Sequence, residues 1–212
     1  MKVTIIDYGL SNLLSVQHAF AHFGAETLVT DKAADILAAE VLVLPGVGAF
    51  QDGMNGLEKL GLVEPIRQKA AAGTPLLGIC LGMQMLFDES EEFGLHAGLG
   101  LIPGRVVKIP DTDADGQPQR VPHISWNPLY PGGNRTDFAG TALAGLTPGE
   151  ECYFIHSYEA KPAEDADCLA YTVYGGRKIC AAAVHGSVLG CQFHPEKSGE
   201  VGLKIIEEFL KQ

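Results

Sequence analysis

The run PLLGICLGMQMLF (residues 75–87) decides how the chain folds. Leu76 to Ile79 form a short apolar strand signal, and Leu81 to Phe87 read as a helix, so strand gives way to helix at Cys80. The sequence upstream repeats that alternation. VTIID (3–7) is a β-rich run, followed by a helical stripe of Leu13, Val16, Phe20 and Phe23 that Gly24 ends. AETLVT (25–30) is a second strand, and Asp31 is placed to cap a short helix after it. EVLVLPG (40–46) is a third strand, cut off by Pro45 and Gly46, and residues 63–72 form a helix with Gly73 behind its end. Strands alternating with helices imply right-handed crossovers. The expected class is α/β, an open and mostly parallel sheet with helices on both faces.

The second half changes character. DADGQP (113–118) and VYGGRK (173–178) read as hairpin turns, and RVVKI (105–109), CYFIHSY (152–158) and CLAYTVY (168–174) as strands. The parallel sheet is therefore expected to carry antiparallel strands. The chain closes on an amphipathic helix, with Val201, Ile205 and Phe209 along one stripe and Leu203, Ile206 and Leu210 along the next.

The 212 residues suit a single domain over 1–212 that buries its own core. A composition 46% hydrophobic and 19% charged argues against disorder, and a formal charge of −11 argues against a nucleic-acid partner. No apolar run reaches the roughly 18 residues of a membrane span, so no membrane association is expected. The N-terminus carries no signal-peptide pattern, and a cytoplasmic location is expected. The five cysteines are Cys80, Cys152, Cys168, Cys180 and Cys191. Their odd number, and the lack of any C-x-x-C, point to free thiols with no metal site or cofactor.

Gly78-Ile79-Cys80-Leu81-Gly82 has the form G-x-C-x-G at a strand-to-helix turn, the cysteine version of a nucleophile elbow. The flanking glycines relieve crowding at the sharp turn, and the helix N-terminus favours a thiolate. Alone, Cys80 could equally be a small core residue. A base is offered by GCQFHPEKSG (190–199). Pro195 keeps His194 extended, and in extended chain His194 and Glu196 face the same way, so the carboxylate can orient the imidazole toward a thiol. By itself this tripeptide reads as a solvated turn; beside an elbow cysteine it reads as a catalytic pair. The third element is Pro45-Gly46-Val47-Gly48, whose glycines let backbone N–H groups approach an oxyanion, with the Leu81 N–H as second donor. The same loop could be an ordinary tight turn. All three elements lie at C-terminal ends of predicted strands, where open α/β sheets place their sites.

The elbow GICLGMQ and the segment QFHPEKS together resemble the two signatures of the class I (triad-type) glutamine amidotransferases. In order along the chain, IIDYGLSNLLSV, LPGVGAF, GLGLIPG, VPHISWNPL and YFIHSY further resemble the branch of that family that serves as glutaminase subunits of imidazole glycerol phosphate synthases. The resemblance implies Cys80 as nucleophile, His194 as base and then acid, and Glu196 as orienting carboxylate. It implies that Val47, Gly48, Leu81, Gln84, Glu92, His156, Ser157 and Tyr158 hold L-glutamine. It also implies a heterodimer with a (β/α)₈-barrel cyclase subunit faced by Asn12, Trp126, Tyr153 and Lys197. Ser11 and Ser125 stand where that branch usually has glycine. A chain that frees ammonia but has no second domain to use it needs such a partner, because ammonia lost to water is protonated and no longer nucleophilic. The alternatives are a glutaminase for anthranilate, aminodeoxychorismate or guanylate synthesis, a non-catalytic module of the same fold, and a cysteine peptidase.

Overall fold

The computed structural model describes residues 1–211. The N-terminal half alternates as expected: β1 (Lys2–Ile6), α1 (Leu13–Ala21), β2 (Glu26–Thr30), α2 (Ala33–Leu37), β3 (Val41–Gly46), α3 (Phe50–Lys59), α4 (Val63–Ala71), β4 (Leu76–Cys80) and α5 (Leu81–Met85). Strands then dominate: β5 (Phe87–Ser90), β6 (His96–Ala97), β7 (Ile102–Lys108), β8 (His123–Pro128), β9 (Tyr130–Pro131), β10 (Glu151–His156), β11 (Tyr158–Pro162), β12 (Cys168–Tyr174), β13 (Arg177–His185) and β14 (Val188–Cys191). Helix α6 (Gly199–Phe209) follows.

The central sheet has the order β2-β1-β3-β4-β14-β13-β12-β9. Its first five strands are parallel, and β13, β12 and β9 continue it antiparallel. Strands buried on both faces read as unbroken apolar runs, as VLVLPG and LLGIC do; every residue of β3 and β4 is buried. One face packs on α1, α6 and the segment around Phe138–Leu146, with Phe20 and Phe209 meeting edge to face at 6.4 Å. The other face packs on α2 to α5 and on the small sheet β11-β7-β5-β6.

Three adjacent parallel strands deliver the site. Gly46 at the end of β3 is in register with Cys80 at the end of β4, and Cys191 at the end of β14 is in register with Ile79. The glycine loop, the elbow and the His194 segment therefore emerge side by side.

Several expectations change. Asp31 does not cap α2: Lys32 stands at that position, while Thr30 bonds both the Asp35 carboxylate (2.6 Å) and the Lys32 N–H (3.1 Å). β3 does end at Gly46 as expected, with Pro45 still in register with Ile79. CYFIHSY is two strands: β10 pairs with β8 in a two-stranded sheet, and after Ser157 β11 pairs with β7. DADGQP closes only an isolated bridge between Thr112 and Pro118, whereas Gly175 and Gly176, both at positive φ, join β12 to β13 in a true hairpin.

Candidate active site

Cys80 sits at φ 55°, ψ −109°, a left-handed conformation that a non-glycine residue adopts only under constraint. The constraint is close packing of the turn. A Cβ on Gly82 would lie 1.8 Å from the Leu44 carbonyl oxygen of β3, and one on Gly78 would lie 2.9 Å from the Gly82 backbone. The two glycines let α5 start against the sheet with the Cys80 sulfur at its head. That sulfur contacts the Ile155 carbonyl at 3.8 Å and the Gln192 amide at 3.9 Å.

His194 lies across the same cavity. Its backbone is extended, as Pro195 requires, and its Nδ1 is 2.7 Å from Glu196 Oε1. The pairing itself arises differently from the expectation. Residues Pro195–Lys197 form a 3₁₀ turn, and that turn, not an extended strand, curls Glu196 back under the ring. Both side chains are 2% exposed, so the pair is shielded from water. Burial pulls the His194 pKa down, but the Cys80 sulfur and the Glu196 carboxylate outweigh it and raise it to about 9. With Nδ1 given to Glu196, His194 Nε2 is buried and holds no other hydrogen bond, free to exchange a proton with a group in the cavity.

The cavity measures about 340 Å³ and is lined by Val47, Gly48, Cys80, Leu81, Gln84, Glu92, His156, Ser157, Tyr158, His194 and Lys197, together with Pro122 and Ile155. Every residue assigned by resemblance to glutamine is thus brought to one place, but their present contacts differ. The Val47 N–H donates to the Leu10 carbonyl at 2.9 Å, so the donor expected from this loop is turned to another acceptor. Glu92 accepts the Phe50 N–H at 2.6 Å, at the start of α3; burial holds its carboxyl above the usual range against the pull of that N–H. Gln84 donates to the Tyr158 carbonyl (3.1 Å) and to Gln192 Oε1 (3.0 Å). Lys197 is exposed at the cavity rim. Trp126 is half exposed, 5.9 Å from the Tyr153 ring, which in turn lies 6.5 Å from the His194 ring. Asn12 is exposed just before α1, outside the cavity lining.

Two residues without an assigned role belong to the site. Gln192 is fully buried and links Gln84 to the Cys80 sulfur. The available signal was a polar residue in the apolar run VLGCQF, two positions before His194 and so on its side of an extended chain. His123 is also fully buried and bonds His156 at 3.0 Å.

A strained cysteine at a helix start, a buried His–Glu pair opposite it and a glycine loop beside it can perform acyl transfer through a thioester. The family comparison agrees: the profile "Glutamine amidotransferase class-I" matches residues 4–212, and the chain belongs to that family. Among curated relatives, imidazole glycerol phosphate synthase subunit HisH 1 of Legionella pneumophila (strain Lens) is 50% identical over 210 residues, 99% of each chain. Subunit HisH of Syntrophotalea carbinolica is 49% identical over 98% of each chain. That of Lactococcus lactis is 44% identical, covering 100% of this chain and 98% of the relative. Among solved structures, a glutamine amidotransferase superposes with a TM-score of 0.73 at 19% identity (99% and 97% covered), and PurLQS from Thermotoga maritima with 0.71 at 21% (99% and 97%). At those identities the likeness is one of fold.

Proposed function

We propose that the chain acts as one glutamine amidotransferase domain, the glutaminase subunit of a cytoplasmic imidazole glycerol phosphate synthase. Its full-length similarity to HisH subunits supports the pathway, and the Cys80–His194–Glu196 arrangement supports the chemistry. The observation that carries the reading is His194, bonded to the buried Glu196 side chain, lining the same cavity as a positive-φ elbow cysteine. Glutamine enters the cavity against Gln84, Glu92 and the His156–Tyr158 strip. The Cys80 thiol gives its proton to His194 Nε2, and the sulfur attacks the side-chain amide carbon. The oxyanion is received by the Leu81 N–H and by the Val47–Gly48 loop. His194 returns the proton to the departing nitrogen, so ammonia leaves and a γ-glutamyl thioester remains. Water, deprotonated by His194, then attacks the thioester, releasing glutamate and restoring the thiol. Glu196 holds the ring in the Nδ1-protonated form throughout.

The ammonia passes to a (β/α)₈-barrel cyclase subunit seated on the face that carries Asn12, Trp126, Tyr153 and Lys197. There it enters the synthesis of imidazole glycerol phosphate and aminoimidazole carboxamide ribotide. The Val47 N–H, bonded to Leu10, supports a resting state that is poor in catalysis until the partner engages. The test is glutamate release by the chain alone and with a cyclase carrying its nucleotide ligand. Slow turnover alone and strong stimulation in the complex are expected; fast, unstimulated turnover would contradict the coupled reading.

A further inference from the structure

Behind the cavity, two buried imidazoles form a chain of contacts whose protons can be counted. His156 Nδ1 lies 2.8 Å from the Tyr158 carbonyl oxygen, which only accepts, so Nδ1 carries the hydrogen. In a neutral ring His156 Nε2 is then an acceptor. It faces His123 Nδ1 at 3.0 Å, which must donate. His123 Nε2 is left as an acceptor in turn, with Asn127 Oδ1 and Ser125 Oγ each 2.9 Å away. The Asn127 amide nitrogen is committed to the Val173 carbonyl at 3.0 Å, which fixes its oxygen toward the ring. Two acceptors therefore face each other, and the Ser125 hydroxyl, which contacts both, has one proton to give to either His123 Nε2 or Asn127 Oδ1. Adding a proton to the pair would also resolve the conflict, but burial opposes it: it lowers the His123 pKa and takes that of His156 to about 3. The ionisable groups around the pair are His194, which disfavours charge on His156, and Tyr174, stacked on His123 at 4.0 Å. Among the described residues no carboxylate is hydrogen-bonded or ion-paired to either ring.

The Tyr158 carbonyl held by His156 is the one that also anchors Gln84, and Gln84 leads through Gln192 to the Cys80 sulfur. At the other end, His123 lies on β8, the strand whose exposed side chains are Ile124 and Trp126. We infer that His123 is a positioning residue for the glutamine pocket: through His156 it holds the Tyr158 carbonyl and Gln84, with the Ser125 hydroxyl against its far nitrogen. The inference rests on the proposed glutaminase reading only for the identity of the substrate.

The first test needs no turnover. In protein with ¹⁵N-labelled histidine, imidazole nitrogen shifts should show His156 and His123 both neutral and both protonated on Nδ1. In the Ser125→Ala variant His123 should begin to take up a second proton at higher pH than in the parent. A His156 ring protonated on Nε2 in the parent overturns the inference, even if glutamine hydrolysis is confirmed. If hydrolysis is absent altogether, the functional reading fails while the nitrogen shifts still decide the tautomer. The second test compares His123→Asn, whose side-chain amide can donate from the place of Nδ1, with His123→Leu, which cannot. In the complex with the cyclase, Leu should raise KM for glutamine about five- to tenfold with kcat within about twofold, the scale of one lost hydrogen bond, and Asn should stay near the parent. Equal KM changes in the two variants would mean that His123 only fills space between Phe154 and Tyr174.

Discussion

Replacing Glu196 by glutamine probes the site where its electrostatics are most exposed to measurement. Glu196 Oε1 is 2.7 Å from His194 Nδ1, and both side chains are 2% exposed. A charge-assisted hydrogen bond of this kind contributes about 1.5–3 kcal/mol, and each pKa unit corresponds to about 1.4 kcal/mol. Loss of the carboxylate charge should therefore lower the His194 pKa by about one to two units from its value of about 9, with burial now less opposed. The sign is that of a raised histidine: the stabilisation is complete below the ordinary value of 6.5 and is lost as pH rises through about 9. His194 must be protonated to release ammonia, so parental kcat should fall above about pH 9, and in Glu196→Gln the falling limb should move toward neutrality. An imidazole without its orienting carboxylate also loses much of its acid–base efficiency, so kcat should drop about 10²- to 10⁴-fold. The assay is glutamate release by the cyclase complex across the alkaline range, with thermal unfolding on the same samples. A variant within a few-fold of the parent, with its alkaline limb unmoved, would refute this role for Glu196.

Gly82→Ala should abolish hydrolysis and lower the melting temperature, because its Cβ would lie 1.8 Å from the Leu44 carbonyl, and overpacking costs about 1–3 kcal/mol or more; a stable, active variant would show that the elbow can shift. An electrophilic glutamine analogue should label Cys80 alone among the five thiols, as peptide mapping can establish. Burial pushes Cys152 up to about 12 and Cys191 well above its ordinary value, so both should resist alkylation in the folded protein. Trp126→Ala should weaken cyclase binding by about 2 kcal/mol in titration calorimetry, with little change in melting temperature, since the side chain is half exposed.

The elbow and the His194–Glu196 pair could be read from sequence because their geometry is local. Two glycines flank one cysteine, and a proline separates the histidine from its carboxylate by one residue. Helix α3 is not legible in the sequence because Gly53 and Gly56 interrupt it and disfavour a helix. Their reason is tertiary: a Cβ on Gly53 would meet the Met85 sulfur at 2.6 Å, and one on Gly56 the Tyr8 carbonyl at 2.8 Å. The sequence gives Gln192 and His123 no role in the site because their partners, Gln84 and His156, are 108 and 33 residues away along the chain. The division of CYFIHSY is likewise set by different partners, β8 and β7, which its own residues do not announce. The Val47 N–H could not be assigned from the loop's glycines, since its acceptor is the carbonyl of Leu10.

The central claim is that Cys80 carries the γ-glutamyl group. Peptide-level mass spectrometry of the cyclase complex, acid-quenched during glutamine turnover, tests it most directly. The account predicts a γ-glutamyl adduct on the peptide that contains Cys80 and on no other, lost in Cys80→Ala together with hydrolysis. An adduct on a different residue, or undiminished glutamate release by the Cys80→Ala complex, would contradict it.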